Sequence, residues 1–559
     1  MHISFLHFFR KHIWLIGLIV FVNQAILLDR YIRTDLAPYY PGAFDQLVTY
    51  DAVYEARLAI QQHGLGYIIH GDLSLWRGAF KGWLIPMLGM LSALFFGPQR
   101  EAIVFVNFAL FVLGQIWIWH FFAQRAGRVG ALLAYGLFLL SGVHYYIAGG
   151  IDDLRFDYAG MIVFGIAICV LVTWVESLAW KDFWLFVLLF GFAISTRTTT
   201  MVYLALTLGC LWLWFGVQWL RQRDVEENKR RLGRLTLLGM VCLVFLLTFF
   251  ALNWGGFANY YLNMKMSPED NFRRAEANVN NLLSLLLYYP IRAGITFVYY
   301  VLLAAISTLA WLWLSRKRAQ IHSAKRINWR KIFPMLLVPS VASLATYIAT
   351  TAYAPSPVVI GVLTMPFAMI MTVVLLELWT PIGSQRLLYG LAMSVVVLGL
   401  LNYGFAMVVP KRLRTEVYGD GVLANEFYRD LAQITNTRPA TTIYWMLMHP
   451  SFHPLAYNIY QYEHGAGNNV ATLYQSGPQV VPTAEVEIMA QLDRADVVIA
   501  FDELPLNVTL EYGFHQTLRE TESIWRPYLG RHFRFVREYP LEGKRWLVGL
   551  YVRQTDGGK

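Results

Sequence analysis

Long apolar runs separated by short polar segments fill most of the first 410 residues of the chain. A transmembrane helix needs about 20 predominantly apolar residues, and the pattern predicts eleven such helices. A further apolar run, 83–97, is short and contains Pro86, so it either spans the membrane or lies in its interface. The predicted spans are 13–28, 102–123, 129–148, 158–175, 183–195, 199–220, 235–252, 291–314, 332–352, 358–378 and 387–409.

The pattern changes after residue 410 to shorter apolar runs separated by polar turns. Such runs predict strands, and a Leu-Glu-Gly-Lys segment predicts a hairpin turn. The predicted elements are strands at 442–447 and 497–501, a helix at 484–493, and a hairpin formed by 533–539 and 546–552. The sequence therefore predicts an all-α transmembrane module over residues 1–410 and a small α/β domain over residues 411–559.

The distribution of Lys and Arg orients the predicted spans. Residues 221–234 carry six of these cations and residues 315–331 carry seven. Cytoplasmic loops hold the excess of Lys and Arg, and both segments are cytoplasmic only if 83–97 lies in the interface. We therefore predict a cytoplasmic N-terminus and a periplasmic C-terminal domain in a bacterial inner membrane.

This topology gives three long or acidic outer loops, at 29–101, 149–157 and 253–290. In the first loop, Thr49 and Asp51 precede a stretch with helical apolar spacing, which predicts a helix that begins near Asp51. The third loop contains Ser267 before Pro268, a pattern typical of a helix start.

Composition narrows the class of protein. Hydrophobic residues make up 57% of the chain and charged residues 15%, which excludes a soluble enzyme. The net charge of +10 lies largely in the predicted cytoplasmic loops and gives no argument for nucleic acid as a partner. All three cysteines fall in predicted spans, so we expect no disulfide framework.

Two acidic clusters lie at the outer mouths of the predicted spans: Asp45 with Asp51, and Asp152 with Asp153 and Asp157. Carboxylates at a membrane boundary are costly to desolvate and therefore usually have a function. Asp51 has two interpretations. It either caps the start of a helix, or it has a raised pKa and accepts a proton from an incoming hydroxyl. Asp45 is the alternative base.

Three cations near the predicted outer edge are candidates for binding a phosphate. Lys81 either binds phosphate as a point charge or extends from an interfacial helix to water. Arg155 either pairs with the neighbouring acids or binds phosphate through two hydrogen bonds. Arg197 lies between two spans, where an unpaired charge is costly, so we expect a phosphate or carboxylate partner.

A metal ion is the remaining question of chemistry. Asp152 and Asp153 could hold Mg²⁺ or Mn²⁺ together with Asp51, since these ions prefer carboxylate oxygens. No ligand motif of fixed spacing supports the site, so the metal is left open. Three histidines of the C-terminal domain are loosely spaced and have no cysteine partner, so we interpret them as ordinary loop residues rather than zinc ligands. They are His449, His453 and His464.

The first outer loop resembles that of the GT-C glycosyltransferases, in particular the branch of lipid A aminoarabinose transferases and protein O-mannosyltransferases. That family has an Asp-Glu-x-x-Tyr pattern in the loop. The segment Asp51-Ala52-Val53-Tyr54 is a partial match, in which alanine replaces the glutamate and the tyrosine comes one position early.

Two further segments extend the resemblance, which covers about residues 10–220. Phe80-Lys81-Gly82-Trp83-Leu84 is similar to the family's lysine before an interfacial run, without the prolines that follow it there. Asp153-Leu154-Arg155-Phe156 occupies the place of the acid in the family's second outer loop. Later spans resemble the family only in topology.

The resemblance implies an inverting glycosyltransferase of the membrane. It would take a sugar from a polyprenyl-phosphate carrier, undecaprenyl or decaprenyl phosphate, and move it to a hydroxyl of a cell-envelope glycan, lipid or protein at the periplasmic face. The catalytic candidates are Asp51, Asp153 and Asp45, and the candidates for the carrier phosphate are Lys81, Arg155 and Arg197. Weaker candidates for contact with the sugar or acceptor are Tyr54, Arg57, Asp152 and Asp157.

Two other functions fit part of the pattern. A transporter or flippase for lipid-linked sugars would also be polytopic, although such proteins often show internal repeats and none is apparent here. An O-antigen ligase or polymerase would use the same carrier, but it typically places its large outer loop late in the chain, whereas the long loop here comes first.

Overall fold

The residues that the computed structural model describes are 13–36, 44–64, 82–146, 150–154, 156–222, 226–258, 329–353, 361–379, 385–409, 421–437, 441–446, 452–464, 470–473, 485–503, 518–541 and 546–554. Its helices before residue 410 follow the predicted apolar runs, with bounds that differ in places. In chain order they are α1 (Ile13–Tyr31), α2 (Phe44–His63), α3 (Leu84–Phe96), α4 (Arg100–Leu140), α5 (Phe156–Ser177), α6 (Trp180–Thr196), α7 (Thr198–Arg221), α8 (Glu226–Ala258), α9 (Trp329–Tyr353), α10 (Thr364–Trp379) and α11 (Gln385–Val408).

Helices that can cross a membrane dominate this part of the fold, and the chain is a multi-pass membrane protein. Within the described residues, six segments are long and apolar enough to span: Arg100–Leu140, Phe156–Ser177, Thr199–Arg221, Glu226–Gly255, Gly361–Trp379 and Arg386–Val408. The total of eleven spans stays a prediction, since the predicted span 291–314 lies outside the described residues. At about 1.5 Å per residue, α3 measures only about 20 Å, which is short for a hydrocarbon core of about 30 Å.

The candidate membrane helices differ widely in how much of each is buried. The apolar window of α5 is 94% buried, whereas that of α8 is 17% buried. A helix that is apolar on all sides suits either a protein core or a lipid environment, and its burial places α5 in the core of the helices. Elsewhere α4 and α11 approach closely, and a Cβ atom on Gly399 would lie 2.9 Å from the carbonyl oxygen of Gly136.

Several predicted bounds were wrong. The run 129–148 ends as an α-helix at Leu140, because the chain then forms a 3-10 turn at Gly142–His144. Its connection to the preceding span, 102–123, is a kink at Gly127, which has a φ of 66°.

The basic segment 221–234 was predicted to be a loop, but most of it is helical, since α8 already begins at Glu226. Acidic residues at a helix start are favourable, and Arg231 forms an ion pair with Glu227 one turn earlier, at 2.6 Å. The outer loop predicted at 253–290 begins as the last turns of α8, and residues 259–290 lie outside the described part of the chain.

The C-terminal segment is an α/β domain, as predicted. Its elements are α12 (Gly421–Asn436), β1 (Thr441–Trp445), α13 (Pro454–His464), β2 (Val470–Leu473), α14 (Glu485–Arg494), β3 (Val497–Glu503), α15 (Glu522–His532), β4 (Phe533–Leu541) and β5 (Trp546–Arg553). The strands form a sheet in the order β2-β1-β3-β5-β4, with parallel pairs on one side of β3 and antiparallel pairs on the other. The predicted terminal hairpin is confirmed as β4 paired with β5.

The chain divides into two compact units. The first, which we call the membrane unit, comprises Met1–Arg30, His63–Ser92 and Ile103–Val409. The second, which we call the α/β unit, comprises Tyr31–Gln62, Ala93–Ala102 and Pro410–Lys559. The α/β unit therefore contains most of α2 and the connection from α3 to α4 in addition to the C-terminal sheet. The domain boundary predicted at residue 410 did not include these two earlier segments.

Candidate active site

Asp51 belongs to the α/β unit and lies in the middle of a helix. It was predicted to begin this helix, but α2 starts at Phe44, and the interpretation of Asp51 as a helix cap was therefore wrong. Apolar positions such as Leu47 and Val53 on both sides of Asp51 are buried, so the helix extends further toward its N-terminus than the sequence pattern indicated. The backbone of Asp45 lies in the first turn of α2.

The Asp51 carboxylate is largely buried and accepts one hydrogen bond that the sequence did not predict. The donor is the Asn458 Nδ2 atom on α13, 3.2 Å from Asp51 Oδ1. The pKa of Asp51 is raised from 3.8 to about 7. Burial is the largest cause, the nearby Glu55 charge adds to the rise, and the hydrogen bond from Asn458 opposes it. Asp51 is therefore a carboxylate that exchanges its proton near neutral pH.

Tyr54 lies one turn after Asp51 and is buried. Its hydroxyl donates to the Pro98 carbonyl oxygen at 2.7 Å and lies 3.1 Å from Glu463 Oε1. Its ring stacks on Tyr462, with centroids 5.2 Å apart. Tyr54 thus joins α2 to α13 within the α/β unit, and these contacts give it a structural role. The Arg57 Nε atom is buried and has no hydrogen-bond partner among the described residues.

An ion pair continues this contact. Arg100 Nε, at the start of α4, lies 2.7 Å from Glu463 Oε1, and both side chains are largely buried. A buried pair of this kind needs good geometry because both charges lose water. It holds the start of α4 against α13 next to Tyr54.

The second acidic cluster belongs to the membrane unit. Asp152 and Asp153 are both buried. Backbone hydrogen bonds form their loop, including one from Ile151 N to His144 O at 2.8 Å. The Asn107 side chain in α4 also donates to Asp153 O at 2.9 Å. A polar side chain near the start of α4 thus helps to hold the acidic loop in place.

Arg197 has the carboxylate partner that its position predicted. It is the extended residue between α6 and α7, and it forms an ion pair with Asp157 in the first turn of α5. Gly82 packs against the adjacent backbone. Gly82 has a φ of 103°, which favours glycine, and a Cβ atom built there would lie 2.0 Å from the Thr196 carbonyl oxygen. Only glycine therefore fits at this position.

Lys81 and Arg155 lie outside the described residues, as do His449 and the side chain of Asp45. The His453 Nδ1 atom accepts a hydrogen bond from Leu455 N at the start of α13. Among the residues that the structure describes, no three His, Cys, Asp or Glu side chains are grouped so as to hold a metal ion. We therefore assign no step to one.

Sequence reasoning missed the partners of the acidic residues. Asn458, Tyr462 and Glu463 come about 400 positions after Asp51, and nothing in their local pattern indicates the contact. The proximity of Glu55 to Asp51 could have been predicted, because residues four apart on a helix are neighbours. Asn107 was also detectable, as a polar residue inside an apolar run.

The fold is similar to that of solved membrane glycosyltransferases. The structure of ArnT from Cupriavidus metallidurans in the apo state has a TM-score of 0.54 and 14% identity, and the match covers 95% of this chain and 97% of that one. The structure of the same protein bound to undecaprenyl phosphate has a TM-score of 0.53 and 13% identity, with the same coverage. The archaeal oligosaccharyltransferase AglB from Archaeoglobus fulgidus, in complex with an inhibitory peptide and a dolichol-phosphate, has a TM-score of 0.48 and 11% identity over 95% of this chain and 80% of that one.

The predicted resemblance to the GT-C glycosyltransferases of the lipid A aminoarabinose transferase branch is confirmed at the level of the fold. No protein-family model matches the sequence, and no curated protein sequence matches it. At 13–14% identity, the likeness to ArnT shows a shared fold and leaves the reaction to be argued from the residues.

Proposed function

We propose that the protein is an integral membrane glycosyltransferase. It moves a sugar from a polyprenyl-phosphate carrier to an acceptor hydroxyl by a single displacement that inverts the anomeric centre. The undecaprenyl phosphate bound to ArnT, which has a similar fold, supports a carrier of that kind. The acceptor is a cell-envelope glycan, lipid or protein.

The observation that carries the proposal is the environment of Asp51. A general base is most effective when its pKa lies near the operating pH, and the pKa of Asp51 is raised to about 7. A largely buried carboxylate beside Glu55, which accepts a hydrogen bond from Asn458, lowers the free energy of unfolding at neutral pH. Such a group is more readily explained by chemistry than by structure.

In the proposed reaction, Asp51 takes the proton of the acceptor hydroxyl as its oxygen attacks the anomeric carbon. The bond between that carbon and the phosphate oxygen breaks, and the carrier phosphate leaves with the electron pair. Its negative charge calls for a cation, and Arg197 is our candidate among the described residues. Lys81 and Arg155 stay predicted phosphate ligands, and Asp153 a predicted second acid. Dependence on Mg²⁺ or Mn²⁺ stays a prediction, tested by transfer in the presence of a chelator.

The periplasmic face is part of the proposal, because Lys and Arg are concentrated in segments predicted to be cytoplasmic. Cysteine placed at Val486 in α14, which is 80% exposed, should react with a membrane-impermeant label added to intact cells. Cysteine placed at Lys229 in the exposed first turn of α8 should react only after the cells are opened. The opposite pattern would refute the orientation.

The function is tested with Asp51→Asn, which keeps the size of the side chain and removes the base. We expect normal folding, normal carrier binding, and transfer reduced by about two to four orders of magnitude. The assay incubates purified protein with extracts of lipid-linked sugars and envelope acceptors and separates the products by mass. Glu487→Gln, an exposed acid on α14 of the same unit, is the matched control and should retain transfer.

Near-normal transfer by Asp51→Asn would refute Asp51 as the base and make Asp45→Asn the next variant. If both variants retained transfer, neither acid would be the base. If wild-type protein formed no glycosylated product but moved lipid-linked sugar across vesicle membranes, the flippase alternative would replace the enzyme. Release of a polymer or ligated O-antigen would identify the ligase or polymerase alternative.

A further inference from the structure

A polar cleft lies entirely within the α/β unit, and Asp51 is not among the residues that line it. Its volume is about 580 Å³, within the range of about 300–1,000 Å³ typical of small-ligand sites. Three parts of the unit line it: the turn that follows α1, the start of α4, and the facing sides of α12 and α13. None of the residues assigned above to proton transfer or carrier phosphate belongs to this lining.

The residues that line the cleft are charged, polar or aromatic, and they carry an excess of positive charge. Three arginines line it, Arg33, Arg100 and Arg429, against two glutamates, Glu101 and Glu463. Glu463 already pairs with Arg100 at 2.7 Å. The described residues that line the cleft include no aliphatic side chain, so the cleft suits a polar ligand better than an acyl or polyprenyl chain. It suits a ligand with hydroxyl groups and a negative charge, which arginine binds through paired hydrogen bonds.

An aromatic pair forms part of the same wall. Tyr460 and His464, one turn apart on α13, stack with ring centroids 4.2 Å apart and planes 18° from parallel. Aromatic side chains combine a flat apolar face with a polar edge, and such a face packs against the C–H surface of a sugar ring. Two side-chain amides, Gln99 and Asn425, add donors and acceptors for hydroxyl groups.

We infer that this cleft binds an anionic saccharide, a sugar unit that carries a carboxylate or a phosphate. Arg33 and Arg429 contact the acidic group, because both are exposed and line the cleft. Arg429 Nε also lies 3.7 Å from Asp430 Oδ1, so the acidic group of the ligand adds to an existing pair. The sugar ring packs on the Tyr460–His464 pair. That this saccharide is the acceptor of the transfer rests on the function proposed above, whereas its binding to the cleft does not.

Calorimetric titration of the purified full-length protein tests the inference with four probes: glucuronate, glucose 6-phosphate, glucose and inorganic phosphate. We expect the two anionic sugars to bind at least about tenfold more tightly than glucose or phosphate alone, since only they use both parts of the wall. The double variant Arg33→Gln with Arg429→Gln should weaken their binding about tenfold or more. Arg494→Gln, an exposed arginine on α14 outside the lining, is the matched control and should bind as wild type does.

Equal binding of glucose and glucuronate would refute the charge recognition. Inorganic phosphate binding as tightly as glucose 6-phosphate would refute the saccharide and leave a simple anion site. No binding of any probe, or unchanged binding in the double arginine variant, would refute the cleft itself. Binding of anionic sugars by a protein that transfers no sugar would support the cleft and count only against the proposed function.

Discussion

Two substitutions next to Asp51 should move its ionisation in opposite directions. Glu55→Gln removes a negative charge that raises the pKa of Asp51, and Asn458→Leu removes a hydrogen bond that lowers it. A general loosening of the α/β unit would let water reach Asp51 and lower its pKa in both variants. Opposite shifts are therefore a specific signature of the geometry around this carboxylate.

The size of each shift follows from the contacts. A hydrogen bond to a charged acceptor contributes about 1.5–3 kcal/mol, and the Asn458 bond is rather long at 3.2 Å, so the lower end applies. At about 1.4 kcal/mol per pH unit, Asn458→Leu should raise the midpoint from about 7 to roughly 8. A like charge one helical turn away, partly screened by water, contributes about the same. Glu55→Gln should therefore lower the midpoint to roughly 6.

Infrared difference spectroscopy measures this directly, because a protonated carboxyl group absorbs separately from a carboxylate. The band that disappears in Asp51→Asn identifies the residue, and its intensity is followed from about pH 5 to pH 9. The reasoning fails if wild type shows no such band titrating near pH 7, or if both variants shift the midpoint in the same direction. As a base, Asp51 must be ionised, so transfer should rise with pH through the same midpoint.

Three further outcomes follow from individual contacts. The folded pKa of Asp51 lies above 3.8, so the favourable contribution of its protonated form to stability is lost as pH rises toward 7. Above about pH 7, the free energy of unfolding of wild type should therefore be lower than that of Asp51→Asn, by roughly 2 kcal/mol after allowing for partial exposure to water. Equal melting temperatures of the two proteins at high pH would contradict this. Gly82→Ala should destabilise the protein by more than about 2 kcal/mol, because the added Cβ atom would overlap the Thr196 carbonyl oxygen at a φ that favours glycine. A melting temperature of Gly82→Ala equal to that of wild type would contradict this packing. Replacing Arg197 by Gln together with Asp157 by Asn removes both charges of the pair, so neither is left buried alone. We expect this double variant to fold and to bind polyprenyl phosphate at least about tenfold more weakly than wild type. Unchanged binding would exclude Arg197 from the phosphate site.

The sequence by itself determined the membrane helices and much of the terminal domain. Spans such as α5 and α7 were predictable because the bilayer requires a local property, about 20 apolar residues in a row. Strands β1 and β3 and the β4–β5 hairpin were predictable for a similar reason, since short apolar runs and turn residues act over a few positions. Asp51 and Arg197 could be selected because charged groups near a membrane boundary are rarely without a role.

Only the tertiary structure decided what those residues contact. The pairing of Asp51 with Asn458 joins positions 407 residues apart, and no local pattern encodes a contact at that separation. The same holds for the stacking of Tyr54 on Tyr462 and for the Arg100–Glu463 pair that lines part of the polar cleft. A pKa near 7 at Asp51 depends on burial and on neighbouring charges, which exist only once α2 and α13 are packed together. The sequence could therefore indicate which carboxylate to examine, whereas its chemistry was decided by packing.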